Sequence, residues 1–284
     1  MQTARIAEPI TGDKLYQVRA RSTLPILVRQ AYSATPISYG DLAAELEMSN
    51  PRNLNYVLGS IGQTIKTLAE KWKEGIPPIQ CLVINKNTGL PGEGIGWFIT
   101  DKADFRKLPK KQQRLLVEAE LRKIFSYRKW LDVLREFGLQ PMELSYSGIL
   151  ASAANYKGSG EGDSHKQLKS YVSNNPNILN LPRKIAPGQT EFALPSGDSV
   201  DVLFINKDEW IGAEVKSAIS TEADLVRGIF QCIKYRAVIE AYQASMNLAQ
   251  SVRVVLVLSG VLPPALVALK NMLGVEVLEN IKKK

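Results

Sequence analysis

The sequence predicts a two-domain α/β protein, in which a mainly helical N-terminal domain precedes a mixed sheet flanked by helices. Apolar residues recur at helical spacing through much of the first hundred residues, whereas strand-length apolar runs alternate with helices near the end. Two such runs, 200–205 and 210–215, flank the polar tip 206–209 and predict a β-hairpin. The 284 residues are enough for two domains that each bury a core.

The first domain is predicted to contain three successive helices and then a short strand with a flexible loop. The helices are expected at Leu24–Tyr32, Ile37–Leu46 (entered at Ser38 or Tyr39) and Leu54–Trp72, the strand at Ile79–Ile84 and the loop at Gly92–Gly96. This is the element order of a winged helix, in which one helix lies in the major groove of DNA.

Polar and aromatic side chains stand at the front of the third helix, where contacts to base edges would arise. These candidate DNA-binding residues are Asn50, Arg52, Asn53, Asn55 and Tyr56. A helical domain without a DNA partner has the same order of elements, and association with another protein is the alternative role.

Three segments resemble the C-terminal DNA-binding domain of the O6-alkylguanine-DNA alkyltransferases and of the alkyltransferase-like proteins. They are Ile37-Ser-Tyr-Gly-Asp-Leu-Ala43, Asn50-Pro-Arg-Asn-Leu54 and the run from Ile76 to Gly89. The resemblance covers roughly residues 24–98 and implies DNA binding, with Tyr39 among the contacts. The alkyltransferase-like module also suggests a flipped or modified base.

The resemblance fails at the reactive site of the alkyltransferases. Their Pro-Cys-His-Arg motif falls on Pro78 to Cys81, which places Ile79 at the nucleophile position and Gln80 at that of the histidine. Cys81 comes two residues late and has no evident cationic or histidine neighbour to activate it. We therefore expect a structural cysteine and no alkyl transfer.

The positive charge is concentrated in the first half of the chain. Residues 1–150 hold 21 Lys/Arg against 15 Asp/Glu, a net charge of +6, and residues 151–284 hold 15 against 13, a net charge of +2. A basic excess suits a polyanionic partner, although a well-solvated surface has the same composition. Residues 106–157 are predicted to form a basic helical connector, whose helix either contacts phosphates or presents a solvated face over a core.

Composition excludes several classes of protein. No apolar run is long enough to span a bilayer, and no secretory signal is evident, so the expected location is the cytoplasm. Cys81 and Cys232 are far apart in apolar surroundings, which predicts buried thiols in a reducing compartment. Two cysteines and one histidine cannot fill a structural zinc site.

Asp201, Glu214 and Lys216 are the candidate catalytic residues. Alternation along the second strand of the hairpin places Glu214 and Lys216 on one face, and Ala213 and Val215 on the other. Asp201 is near the start of the first strand and can reach the same end of the hairpin. Two carboxylates can hold a hard divalent cation beside an ammonium group. Together these groups can support attack on a phosphodiester by a metal-activated water.

The order of helix, three strands, helix and strand over residues 158–284 is that of the restriction-endonuclease-like fold. Asp201 with Glu214-Val-Lys216, and Gln231-Cys-Ile-Lys-Tyr235 on the following helix, resemble the motifs of the PD-(D/E)XK nuclease superfamily. The proline that names the motif is absent, since Val200 precedes Asp201. Without the helix, the Glu-X-Lys spacing is that of an exposed cross-strand salt bridge.

The resemblance implies a role for each residue. Asp201, Glu214 and the backbone carbonyl of Val215 would bind Mg²⁺, for which Mn²⁺ can substitute, and Lys216 would orient the attacking water. Glu161, or else Asp163, would complete the carboxylate ring. Gln231 and Tyr235 would position the lysine or bind a phosphate.

Other polar residues near the motif have ordinary interpretations. His165 is more simply a helix-surface histidine than part of the site, and Asp198 more simply a turn residue than a ligand, while the role of Glu191 stays open.

The sequence thus predicts an alkyltransferase-like winged helix at 1–105, a connector at 106–157 and a nuclease domain at 158–284. The predicted function is a Mg²⁺-dependent DNA endonuclease of restriction, defence or modified-DNA targeting, which leaves 5′-phosphate and 3′-hydroxyl ends. A homodimer is expected for duplex cleavage. The alternative is a catalytically inert DNA-binding or regulatory protein on the same fold.

Overall fold

The structure, a computed structural model, describes residues 6–99, 105–142, 146–148, 151, 153, 162–182, 184–248 and 250–282. The chain divides into two compact units, Met1–Leu144 and Ser145–Lys284. Over the part of the chain that is described, no helix combines the length and the apolar character needed to cross a membrane.

The first unit is mainly helical. Its described elements are α1 (Leu15–Tyr32), β1 (Ile37–Ser38), α2 (Tyr39–Glu45), α3 (Leu54–Trp72), β2 (Val83–Ile84), α4 (Gly96–Ile99), α5 (Lys110–Ser126) and α6 (Trp130–Glu136). The predicted bounds of α3 are confirmed, and α2 begins after Ser38, whose hydroxyl accepts the N–H of Asp41 as a helix cap. The short strands β1 and β2 pair in parallel.

The strand predicted at Ile79–Ile84 is wrong for its first four residues. Ile79–Leu82 forms a 3₁₀ turn, closed by a 2.9 Å hydrogen bond from the Cys81 N–H to the Pro78 carbonyl, and only Val83–Ile84 is extended. Two consecutive prolines precede the turn and cannot donate to a strand ladder, and all four of its side chains are buried rather than alternating. The predicted loop at Gly92–Gly96 is a 3₁₀ turn at Glu93–Ile95 that leads into α4.

The helices of the predicted basic connector pack on the core of the first unit. Val117 and Ile124 of α5 and Trp130 of α6 are buried there, and the indole N–H of Trp130 donates to the Ile124 carbonyl at 2.9 Å. The division after Leu144 therefore places both helices with the first unit, because their apolar stripe covers its core.

The second unit is a mixed five-stranded sheet flanked by helices. Its described elements are α7 (Asp163–Asn174), β3 (Gln189–Ala193), β4 (Ser199–Ile205), β5 (Glu209–Lys216), α8 (Glu222–Ser245), β6 (Ser251–Leu258), α9 (Pro264–Met272) and β7 (Glu276–Leu278). The strands lie in chain order; β3, β4 and β5 are antiparallel, and β5, β6 and β7 are parallel. The predicted hairpin is confirmed, whereas β7 was not predicted.

The two faces of this sheet bury separate cores. Leu168 and Val172 of α7 pack with Ala213 and Val215, whereas α8 packs on the side that holds Trp210. The alternation predicted along β5 is therefore confirmed, and Glu214 and Lys216 lie on the same face of the strand as Trp210.

Candidate active site

The site lies where β4 and β5 separate. Their paired register ends at Val202 and Ala213, although β5 continues along β6 as far as Lys216 and Leu258. Beyond the last pair the Val215 N–H donates to Oδ2 of Asp201 at 2.8 Å. The strand ends thus open, and a side-chain carboxylate takes the place of a ladder hydrogen bond.

Glu214 and Lys216 form a buried ion pair at this opening. The Lys216 Nζ lies 2.8 Å from Oε1 of Glu214 and 3.5 Å from Oδ1 of Asp224. Burial and the nearby charge of Asp201 raise the pKa of Glu214 to about 7. Burial opposes a charged Lys216, but its carboxylate neighbours outweigh that effect and raise the pKa of the ammonium.

Asp201 is held ionised by its hydrogen bonds. Burial alone would raise its pKa, yet the contacts with His165 and the Val215 N–H, together with the nearby Lys169, lower it. The His165 Nε2 lies 3.3 Å from Oδ1 of Asp201, and that bond raises the pKa of the imidazole despite partial burial. The interpretation of His165 as a helix-surface residue is therefore wrong, because the N-terminal part of α7 reaches the sheet.

A second ammonium group, that of Lys169, stands on the other side of Asp201. Lys169 lies one turn after His165 on α7, is only 6% exposed, and places its Nζ 3.7 Å from Oδ1 of Asp201. It also pairs with Glu191, whose side chain is 55% exposed. Glu191, left open by the sequence, is thus a neighbour of the site.

Helix α8 covers the ion pair at close range. A Cβ added to Gly228 would lie 3.0 Å from Cε of Lys216 and 2.9 Å from Cδ1 of Leu256, so a side chain at this position would make one of these neighbours shift. One turn further, Gln231 donates to the Tyr235 hydroxyl at 3.0 Å, and burial with the charge of Glu214 raises the pKa of Tyr235. Gln231 and Tyr235 therefore bond to each other near Glu214.

The remaining predicted residues have simple outcomes. Glu161 lies outside the described residues, and Asp163 is exposed at the start of α7. Asp198 is a turn residue, as expected: it accepts from the Ser196 hydroxyl and pairs with Lys234 at 2.7 Å.

The donor set fits a hard divalent cation. Asp201 and Glu214 supply two buried carboxylates, and burial, followed by the charge of Asp201, raises the pKa of Glu214. The N–H and C=O of one strand residue face the same edge, so the Val215 carbonyl lies on the side where its N–H meets Asp201. Within the described ranges no three His, Cys, Asp or Glu side chains form a metal-binding group. Mg²⁺ needs fewer, since one or two carboxylates with waters and substrate oxygens suffice.

The first unit presents its predicted DNA contacts at one end of α3. Asn50, Arg52, Asn53, Asn55 and Tyr56 are all exposed there. The Asn50 side chain also accepts the Arg52 N–H at 3.0 Å and so fixes the turn that leads into α3. Tyr39 lies further in, with its hydroxyl accepting the Gly92 N–H at 3.1 Å and its pKa raised by burial.

A cavity of about 220 Å³ opens beside these residues, lined among others by Tyr39, Asn55, Gln80 and Phe98. Gln80 is 4% exposed, and neither its Nε2 nor its Oε1 has a hydrogen-bond partner among the described residues. A Cβ on Gly62 would lie 2.5 Å from Nε2 of Gln80 and 2.4 Å from Cζ of Phe98. A side chain at position 62 would therefore displace the amide and the ring, both of which line the cavity.

Both cysteines are free and buried, as predicted. Burial raises the pKa of Cys81 to about 12, so its thiol is protonated at neutral pH and is not a nucleophile. The expectation of a structural Cys81 agrees with this environment.

Lys169, Gly228 and Asp224 are the neighbours of the site that the sequence did not predict. The i, i+4 spacing of His165 and Lys169 was the available signal for one of them. The position of Gly228, three residues before Gln231 on the motif helix, was a weaker signal for a close approach.

No protein-family model, curated protein or solved structure matches the chain. Function must therefore be argued from the geometry itself.

Proposed function

We propose that the protein is a Mg²⁺-dependent DNA endonuclease, whose second unit hydrolyses the phosphodiester bond and whose first unit engages the DNA. The observation that carries this proposal is the convergence of Asp201, Glu214 and Lys216 at the opened end of β4 and β5. A salt bridge formed for stability alone is normally exposed, whereas these three side chains are buried beside further charges. The restriction-endonuclease-like fold is proposed on the same element order and sheet.

Each residue then has a chemical task. Asp201, Glu214 and the Val215 carbonyl would hold the cation, which when bound supplies an activated water and offsets phosphate charge. Lys216 orients the attacking water through its ammonium group and stabilises negative charge on the phosphate. Asp201 keeps its carboxylate ionised through the Val215 N–H and His165, so it is ready to bind without first losing a proton.

The first unit is proposed to be an alkyltransferase-like winged helix. The exposed polar front of α3 suits contacts with DNA, and the cavity at Gln80 suits a flipped or modified base. Tyr39 and Phe98 supply rings for a base to contact, and the Gln80 amide offers one donor and one acceptor to a base edge. Because the thiol of Cys81 is buried and protonated, we expect the unit to bind DNA without accepting an alkyl group.

Plasmid cleavage tests the catalytic proposal. The full chain with Mg²⁺ should nick or linearise a plasmid, whereas Asp201→Ala and Lys216→Ala should not, and Asp208→Ala at the exposed hairpin tip should cleave like the wild type. Equal DNA loss with all four proteins would contradict the proposal and indicate a contaminating nuclease. Binding without any cleavage would favour the alternative, an inert DNA-binding or regulatory protein.

Duplex binding tests the role of the first unit. Affinity should fall steeply with salt, because phosphate contacts release counterions. A duplex that carries a modified base should bind more tightly than its unmodified counterpart if the cavity reads a base. Absence of binding at low salt would favour a role in protein association.

A further inference from the structure

Glu191 has a backbone conformation that its strand does not require. It lies in the middle of β3, yet its φ is 53°, in the left-handed region that non-glycine residues avoid. The register pairs Thr190 with Val202 and Phe192 with Val200, so Glu191 falls opposite Asp201. A strained residue at this one position of an otherwise regular strand suggests a functional constraint.

The carboxylate of this strained residue pairs with the Lys169 ammonium. Lys169 is almost fully buried, whereas more than half of the Glu191 side chain is open to solvent. An anion that approaches from solvent therefore meets Glu191 first, and an ammonium lies directly behind it.

The same ammonium reaches the proposed catalytic carboxylate. Its Nζ is 3.7 Å from Oδ1 of Asp201, so a phosphate that the proposed cation held beside this carboxylate would lie within reach of the Lys169 ammonium. Lys216 stands beside Glu214 at the same opening. The two lysines can thus approach a phosphate from different elements, one on α7 and one on β5.

We propose that Lys169 is a phosphate-binding residue of the active site and that Glu191 occupies the position of the substrate phosphate until DNA displaces it. This inference rests on the proposed nuclease function. It adds Lys169 as a residue that binds the phosphate and Glu191 as a group within the protein that competes with the phosphate for Lys169. Glu191 acts only through Lys169, so removing its charge should improve binding when Lys169 is present and have no effect when it is absent.

Duplex binding by the full chain tests the inference. The probe is a mixed-sequence 20-base-pair duplex in CaCl₂, titrated at several salt concentrations with wild type, Lys169→Gln, Lys169→Arg, Glu191→Gln and the double variant Lys169→Gln/Glu191→Gln. Lys169→Gln should weaken binding about tenfold and reduce the salt slope by about one, since one phosphate contact is lost. Lys169→Arg should keep the slope, because the charge is kept.

Glu191→Gln should tighten binding by about threefold, as expected for release of a half-exposed ion pair. On the Lys169→Gln background the same change should have no effect, because the residues act as one unit. If Glu191→Gln weakens binding as much as Lys169→Gln, the pair is structural and the inference is overturned. Wild-type affinity and slope in Lys169→Gln would also overturn it.

Thermal unfolding separates these effects from misfolding. Glu191→Gly removes the left-handed strain and should raise Tm by about 3 °C while binding duplex as Glu191→Gln does. A Tm below that of the wild type would show that the Glu191 side chain, through its ion pair with Lys169, supports the fold rather than the site. If the wild type binds and cleaves DNA but Lys169→Gln is unaffected, only this inference fails; if the wild type does neither, both proposals fail.

Discussion

The candidate sites of the two units bury polar groups in opposite ways. In the first unit a neutral amide, that of Gln80, faces a cavity and has no partner among the described residues. In the second unit the charged groups Asp201, Glu214 and Lys216 lie within hydrogen-bonding distance of one another or of the backbone. An unpaired amide is complementary to a ligand that brings the missing partners, whereas paired charges of shifted pKa are suited to reaction.

The difference also extends to the ionisable groups. Burial raises the pKa of Cys81, the neighbour of Gln80 in the chain, to about 12, whereas the pKa of Glu214 is raised to about 7, so that Glu214 can change charge near neutral pH. We therefore propose that the first unit binds DNA and the second carries out the chemistry, and specific changes can break either side of this contrast.

The largest effect is expected on cleavage. Lys216→Met removes the ammonium with little change in length, and should lower the rate of plasmid cleavage by at least about a thousandfold. Because the carboxylates remain, it should still bind Mn²⁺ by calorimetry, whereas Asp201→Asn should lose both cleavage and metal binding. Asp208→Asn is the matched surface control and should behave as wild type. Substantial cleavage by Lys216→Met would show that the lysine has no role in the reaction.

Stability of the metal-free protein should fall as pH rises from about 4.5 to 7. The pKa of Glu214 is about 7 in the folded protein and 4.5 ordinarily, so folding favours the protonated carboxyl. The stability that this carboxyl contributes is fully present below pH 4.5 and is lost as pH rises through 7. The shift corresponds to on the order of 3 kcal/mol at most. The raised pKa of His165 also makes the free energy of unfolding fall as pH rises, at the upper end of this pH range.

Glu214→Gln should remove most of this dependence. Chemical denaturation of both proteins at pH 4.5, 6 and 7.5, with a chelator present, measures it. A free energy of unfolding that rises with pH over this range, or an unchanged slope in the variant, would contradict the assigned environment of Glu214.

A smaller loss is expected when Gln80 and Phe98 are displaced from their positions in the cavity wall. Gly62→Ala places a Cβ within 2.6 Å of Phe98 and Gln80, and should cost about 1–3 kcal/mol of stability and weaken duplex binding. Gly75→Ala is the matched control, because a Cβ there meets nothing within 4 Å. Equal duplex affinity for both variants, measured by fluorescence anisotropy, would show that the cavity does not contribute to DNA binding.

The smallest effect has the opposite sign for stability. Gln80→Leu replaces an unpaired buried amide by an apolar side chain of similar size, and should stabilise the protein by about 1 kcal/mol. The same variant should lose any preference for a modified base over an unmodified one. Destabilisation would mean that Gln80 has a partner in solution, and a retained preference would place base recognition elsewhere.

The sequence predicted those features whose residues are close in the chain or follow a regular period. The hairpin, the pair Gln231 and Tyr235 on α8, and the start of α2 are of this kind, because alternation and turn chemistry are local. The 3₁₀ turn at Ile79–Leu82 was missed because two prolines overrode an apolar run that otherwise suggests a strand.

The features that were missed depend on distant packing. Lys169 is 32 residues from Asp201, and only the docking of α7 on the sheet brings them together. Gln80 became a cavity residue through Gly62, whose missing side chain has meaning only once α3 and α4 are in place. No pattern within one segment contains these relations.

Incorporation of oxygen from labelled water tests the central claim most directly. Plasmid is cleaved in H₂¹⁸O with Mg²⁺ by the wild type and by Lys216→Met, and the new ends are analysed by mass spectrometry. Attack by a water oriented at Asp201, Glu214 and Lys216 predicts that each break carries ¹⁸O in its 5′-phosphate and an unlabelled 3′-hydroxyl, with no product from the variant. Ends that carry a 3′-phosphate, or equal cleavage by both proteins, would contradict the account.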